Sequence, residues 1–125
     1  MRHGVVVIFS KTYCEYSKKA KDLLLHRYMI VPTPLVVELD IHPHGRLLQE
    51  ALWRQTGRKT VPVLHTSFSA FPSIIRADNL QNIMITGESI GGNDDIQLME
   101  EQGILADTIH RMAGTLIQRM MRLKD

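Results

Sequence analysis

The chain alternates short apolar runs with polar, glycine- and proline-bearing breaks, and that rhythm predicts its elements. Val5-Val6-Val7-Ile8-Phe9 is β-branched and apolar on both faces, the pattern of a central strand. Beyond Ser10-Lys11-Thr12-Tyr13 and Cys14-Glu15-Tyr16-Ser17, apolar positions recur at Ala20, Leu23, Leu24 and Tyr28, with lysines opposite. That spacing predicts a helix over 14–29. Val31-Pro32-Thr33-Pro34 cannot continue a helix and predicts an extended connection. Leu35 to Asp40 reads as a second strand. Strand, helix, strand makes a βαβ unit, so the two strands should be parallel with a right-handed crossover. His42 to Gly45 is a loop, and Leu47, Leu48, Ala51 and Leu52 give the inward stripe of a helix over 46–56. Gly57 is its stop.

A third strand begins in Arg58 to His65. Residues 67–84 hold Phe68, Phe71, Pro72, Ile74 and Ile75 without a clear period, followed by Arg76-Ala77-Asp78-Asn79. This stretch reads as an insertion with structure of its own, such as a short helical turn. A fourth strand is expected over 85–90, around a turn at Thr86-Gly87. Gly91-Gly92 breaks it, and Asn93 is expected to N-cap a helix beginning at Asp94. Gly103 interrupts the pattern before a last helix over 104–123, with Ile104, Leu105, Ile109, Met112, Leu116, Ile117 and Met120 as apolar positions. Its Met-rich end is expected to pack on the core or fray. The whole reads as one α/β domain over 1–125, a mixed four-stranded sheet with helices on both faces.

At 125 residues the chain can bury a full core without disulfide or metal. Apolar residues make up 44% and charged residues 22%, as in soluble globular proteins. A net charge of +2, with no dense basic run before Arg119, Arg122 and Lys124, gives no footprint for nucleic acid. No apolar run reaches the length of a membrane span, and no signal peptide is visible. The single cysteine rules out an internal disulfide and a four-cysteine zinc site. His42 and His44 flank Pro43, but no cysteine or acidic cluster stands at zinc-ligand spacing.

That cysteine, Cys14, sits at the switch from strand to helix. Unpaired N–H groups and the positive end of the helix dipole point at this position. They favour the thiolate, which is the nucleophile. Lys11 and Lys18 add positive charge there, and Glu15 opposes it.

Three segments in order resemble a known family. Cys14-Glu15-Tyr16-Ser17 follows a strand, Thr60-Val61-Pro62 follows a helix stop, and Gly91-Gly92-Asn93-Asp94-Asp95 opens the last helices. Together they resemble the glutaredoxins, which have the thioredoxin-like fold. The resemblance covers residues 4 to about 111 apart from the insertion. Glu38 to Gly45, Leu48-Gln49-Glu50 and Thr56-Gly57-Arg58 are most similar to the membrane-anchored monothiol glutaredoxins of the fungal secretory pathway. The resemblance therefore implies an ER or Golgi lumen, with a membrane anchor ahead of residue 1; the cytoplasm is the alternative.

The resemblance also assigns roles. Cys14 would attack a glutathione mixed disulfide. Ser17 replaces the second cysteine of dithiol relatives, so a second glutathione must resolve the intermediate; its hydroxyl can also bond nearby backbone. Glu15 replaces the usual proline, which implies a less acidic thiol. Pro62 would be cis, presenting the N–H and C=O of Val61 to the cysteinyl part of glutathione as an added strand would. Gly92 would allow close approach. Asn93, Asp94 and Asp95 at the helix start would offer N–H groups to the γ-glutamyl carboxylate and a carboxylate to its amine. Acidic residues there also stabilise any helix. Lys11 and Arg58 would hold the glycine-end carboxylate, Thr60 would line the groove, and Tyr16 would wall it and touch the sulfur.

Two readings of function follow. The first is a glutathione-dependent monothiol oxidoreductase, acting as a monomer on glutathionylated thiols or proteins. The second is a dimeric sensor or carrier with low turnover, bridged by a [2Fe–2S] cluster that takes Cys14 and one glutathione from each side. A third, a redox-dead adaptor using the insertion to grip a partner, ranks below both.

Overall fold

A computed structural model of the chain describes residues 6–31, 33–57, 61–66, 75–77, 83–85, 88–113 and 119–123. Strand β1 (Val6–Ser10) is wholly buried, which explains why it is apolar on both faces. It lies at the centre of a mixed sheet of four strands. On one side β3 (Leu35–Glu38) runs parallel to it, with Ser10 opposite Glu38. On the other, β4 (Val63–Thr66) runs antiparallel, pairing Phe9 with Val63 and Val6 with Thr66. Strand β7 (Glu88–Gly91) pairs antiparallel with β4 at the edge, with a register shift at Leu64/His65. The parallel β1–β3 pair expected of the βαβ unit is present, and so is the four-stranded mixed sheet.

The period of two in β1 divides its side chains between two cores. Val6 and Ile8, with Leu64, face α1 (Glu15–Asp22), α3 (Asn93–Glu101) and α4 (Leu105–Ala113), where Ala20, Ile96, Leu105 and Ile109 are buried. Val7, Phe9, Val37 and Val63 face α2 (Gly45–Thr56) and its Leu48, Ala51 and Leu52. Each fully buried leucine contributes about 1.5–3 kcal/mol of transfer free energy. Gly57 ends α2 with φ 75°, its N–H on the Trp53 carbonyl at 2.8 Å. At the other end of α2, Gly45 is required by contact: a Cβ there would stand 1.7 Å from the Leu39 carbonyl oxygen.

Two helices are shorter than their apolar spacing suggests. The helix expected over 14–29 is α helix only to Asp22. Leu23–Arg27 widen into a π-helical turn, and Tyr28–Val31 form a strand, β2. Of the helix expected over 104–123, the described residues give α4 (Leu105–Ala113), while Arg119–Arg122 form β8; Leu116 and Ile117 lie outside the described residues. Strands β2 and β8 pair antiparallel, Tyr28 with Arg122 and Ile30 with Met120. Tyr28 at four residues from Leu24 fits a helical stripe. Tyr28 and Ile30 buried, with Met29 and Val31 half-buried, is the alternation of a strand. The ribbon is tied to α3, because the Tyr28 hydroxyl donates to Glu100 Oε1 while Arg122 Nη2 stands 3.2 Å from Glu100 Oε2. Gly103 separates α3 from α4 with φ 73°.

Where an insertion with a short helical turn was expected, the described residues are strands: β5 (Ile75–Ala77) pairs antiparallel with β6 (Ile83–Ile85). The strand expected over 85–90 is thus divided between β6 and β7. Strand β6 lies beside α2.

Candidate functional site

The C-terminal end of β1 delivers Lys11 to Cys14 to the start of α1. Cys14 is the N-cap residue, with extended φ −85° and ψ 124°. Its own N–H bonds the Lys11 carbonyl at 3.2 Å, and its carbonyl accepts the Lys18 N–H at 3.0 Å. The thiol is half-buried. That burial pushes its pKa up. The backbone N–H of Ser17, the Ser17 hydroxyl, the N–H of Tyr16 and the charge of Lys11 together outweigh it, so the thiol lies below the ordinary value. Glu15 is not among the groups that shift it. Its carboxylate is exposed and pairs with Lys18 Nζ at 3.7 Å. The helix N–H groups are aimed at the sulfur while Glu15 is engaged with Lys18; the thiol less acidic than in proline-bearing relatives that Glu15 implies stays an expectation.

Ser17 is fully buried, and its hydroxyl also accepts the Lys11 N–H at 3.2 Å. It closes the loop on itself, which is the backbone role open to it in the sequence.

Across from the helix start, the Val61–Pro62 peptide bond is cis, as the resemblance implied. The Cys14 thiol stands 3.9 Å from the Val61 carbonyl, which can accept its proton. Beside this contact runs an open groove of about 510 Å³, lined by Tyr16, Val61, Pro62, Gly92, Asn93, Asp94 and Asp95. All seven were singled out from the sequence. Tyr16 walls the groove, 57% exposed as a residue, with Lys19 Nζ 5.7 Å from its ring centre. Arg58 and Thr60 lie outside the described residues.

The start of α3 differs in detail from expectation. Gly92, not Asn93, is the N-cap residue, and Asn93 is the first helical one. The Asp95 carboxylate reaches back to the Gly92 N–H at 3.0 Å, which satisfies an otherwise unpaired donor. Gly91 is held at φ 152°, and a Cβ on it would meet the Asp95 Cβ at 2.7 Å. Asp94 remains exposed at the rim.

Two carboxylates without a role in the sequence-based assignment, Glu38 and Asp40, brace the loop from β3. The Ser10 hydroxyl bonds Glu38 Oε1, and Lys21 Nζ bonds Glu38 Oε2 at 2.8 Å. Two residues on, the Thr12 N–H donates to Asp40 Oδ1 at 3.0 Å and the Thr12 hydroxyl donates to Asp40 Oδ2. The available signal was the parallel register: hydroxyls at 10 and 12 stand beside carboxylates at 38 and 40.

Among the described residues no three potential metal ligands come together, and no helix is long and apolar enough to cross a membrane.

A family model described as Glutaredoxin matches residues 6–66. Monothiol glutaredoxin-7 of Saccharomyces cerevisiae is 35% identical over 111 residues, 89% of this chain and 45% of that protein. Glutaredoxin-1 of Rhizophagus irregularis is 33% identical over 104 residues, 83% of this chain and 81% of that protein. The chain spans 45–60% of the length of the first three curated relatives it matches. Among solved structures, the holo form of glutaredoxin C1 from Populus tremula x tremuloides superposes with a TM-score of 0.60 at 32% identity, covering 88% of this chain and 87% of that one. A buckwheat glutaredoxin–glutathione complex superposes with a TM-score of 0.55 at 30% identity, covering 86% and 78%. The shared fold is the thioredoxin-like one.

Proposed function

The chain belongs to the glutaredoxin family, and on that premise we propose that it is a glutathione-dependent monothiol thiol–disulfide oxidoreductase with Cys14 as its nucleophile. One observation carries the reading. A thiol made acidic by a helix start stands 3.9 Å from the Val61 carbonyl, beside a groove whose rim holds a second helix start.

Glutathione would enter as a short extra strand along Val61, whose backbone can pair with its cysteinyl residue. Its γ-glutamyl carboxylate would meet the N–H groups at the start of α3. Asp94 would take the amine, since Asp95 already holds Gly92. Lys11, and Arg58 by resemblance, would hold the glycine-end carboxylate.

The Cys14 thiolate attacks the glutathione sulfur of a mixed disulfide. A Cys14–glutathione disulfide forms, the original disulfide breaks, and the substrate leaves as a thiolate that takes a proton from water. Ser17 has no sulfur with which to resolve this intermediate. A second glutathione thiolate attacks the bound glutathione sulfur, releases glutathione disulfide and returns Cys14 as the thiolate. The buckwheat complex supports glutathione as the bound tripeptide.

A [2Fe–2S] cluster would need three sulfur ligands from outside the chain, because Cys14 is its one thiol. The residues present do not by themselves form a cluster site; Cys14 would be the chain's one ligand to it. By its likeness to the fungal secretory-pathway monothiol glutaredoxins we place it in the secretory lumen, and cell fractionation tests that.

The decisive experiment is turnover of a glutathionylated thiol by the parent and by Cys14→Ser. The variant should fold and show no exchange. Mass spectrometry of the oxidised parent should show one glutathione adduct per chain. Appreciable activity in the variant, or a Cys14–Cys14 dimer as the main oxidised product, would end the reading.

A further inference from the structure

The loop between β1 and α1 must hold two functional groups, the Lys11 ammonium and the Cys14 sulfur, in fixed relation. Yet Thr12 and Tyr13 between them are exposed and belong to no regular element. Within the loop, the bonds Cys14 N–H to Lys11 carbonyl and Lys11 N–H to Ser17 hydroxyl hold the backbone. From outside, Thr12 is gripped by one side chain at both its donors.

We propose that Asp40 is a positioning residue: by accepting the backbone N–H and the hydroxyl of Thr12 together, it fixes the turn that presents Lys11 and Cys14 to glutathione.

The geometry follows from the sheet. Ser10 lies opposite Glu38 in the parallel β1–β3 register. Two residues beyond, where β1 has ended, Thr12 comes opposite Asp40. The chain after β3 turns at once, with the N–H groups of Ile41 and His42 on the Glu38 carbonyl at 3.3 and 3.0 Å. Leu39 N–H is anchored on the Ser10 carbonyl at 2.8 Å. The base of the clamp is thus built into the sheet, and Glu38 with Ser10 and Lys21 forms its inner rung. A carboxylate suits the outer rung because it offers two acceptors side by side for two donors of one residue. The Thr12 hydroxyl holds the Asp40 carboxyl below its ordinary value, and Lys11 adds to that. Lys11 also favours the Cys14 thiolate. The same cation therefore favours both the Asp40 carboxylate and the Cys14 thiolate.

A charge-only role and a positioning role give opposite results. Asp40→Asn keeps the shape, and the Thr12 hydroxyl can rotate to accept from the new amide while the carbonyl keeps the Thr12 N–H. Asp40→Ala loses both bonds. This proposal rests on the oxidoreductase reading, so one readout is independent of turnover: amide hydrogen exchange at Thr12 and Cys14. In Asp40→Ala both amides should exchange faster than in the parent while the β1 amides stay protected. KM for the glutathione mixed disulfide should rise about tenfold with a smaller change in kcat, since misplacing a reacting group by about 1 Å costs up to about a hundredfold. Asp40→Asn and Thr12→Ser should restore parent behaviour, and Thr12→Val should fall between.

Parent-like exchange at Thr12 and Cys14 in Asp40→Ala would overturn the clamp whatever the activity. Asp40→Asn as impaired as Asp40→Ala would show that charge, not position, is what Asp40 supplies, and would also overturn it. An inactive parent with the expected exchange pattern would fault the oxidoreductase reading and leave the clamp standing.

Discussion

Burial alone would push the Cys14 thiol up, and the donors around it decide otherwise. Ser17 supplies two of them, its N–H and its hydroxyl, and Tyr16 a third. Glu15 is turned to Lys18, with its carboxylate 3.7 Å from the ammonium. The two neighbours should therefore respond differently to substitution. Ser17→Ala should raise the thiol pKa, because it deletes the hydroxyl while the backbone N–H stays. It should also cost about 1 kcal/mol of stability through the unmet Lys11 N–H. Glu15→Gln should leave the thiol where it is. The pH dependence of alkylation by iodoacetamide reads both; a drop in pKa in Glu15→Gln would restore the carboxylate as a determinant. At this scale most of the site is legible in the sequence, because Cys14, Val61-Pro62 and Gly92 to Asp95 lie in short local motifs. Thr12 and Asp40 are not, since their pairing exists only once the register of two strands is known.

Whole elements show where periodicity misleads. Leu23, Leu24 and Tyr28 satisfy a helical stripe, and a strand beginning at Tyr28 buries the same ring. The choice is made by a partner some ninety residues away, β8, which no local window contains. The bond that ties this ribbon to α3 is testable by pH. Burial, then the hydrogen bond to Glu100 and its charge, push the Tyr28 phenol up to about 12 from 10.0. A group whose folded pKa is raised stabilises fully below its unfolded pKa and loses that contribution as pH rises through the folded one. The contribution of Tyr28 should thus be whole below about pH 10 and vanish toward pH 12. Tyr28→Phe should be less stable than the parent by about 0.5–1.5 kcal/mol at neutral pH, and urea denaturation should show the gap closing between pH 10 and 12. A gap that is constant across that range would mean the phenol is not bonded to Glu100 in solution.

At the scale of the molecule, the sheet sets the site at one end and the connection from β4 to β7 at the other. Pairing of Phe9 with Val63 puts the start of β4 beside the end of β1, next to Val61 and Cys14. Pairing of Val6 with Thr66 puts the end of β4 beside the start of β1. At about 3.3 Å per residue, β4 carries the chain roughly 10 Å from the groove before the insertion begins. Strand β7 returns it, from Glu88 opposite Thr66 to Gly91 opposite Leu64, so that Gly92 arrives at the groove. The chain thus leaves the sheet after Thr66 and rejoins it at Glu88, at the end remote from Cys14. Of the connection between them, the described strand β6 lies against α2, on the face opposite α1 and α3. None of the described insertion residues lines the groove. Replacing Phe68 to Met84 by an Asn-Gly turn, which suits the twist of an antiparallel pair, should leave glutathione exchange within a few-fold of the parent. It should lower the thermal midpoint, because β6 would no longer cover α2. The measurement is kcat/KM on a glutathionylated peptide alongside calorimetry of the same preparation. Loss of exchange with an unchanged midpoint would show that the insertion reaches the site, and would contradict the direction in which β4 carries it.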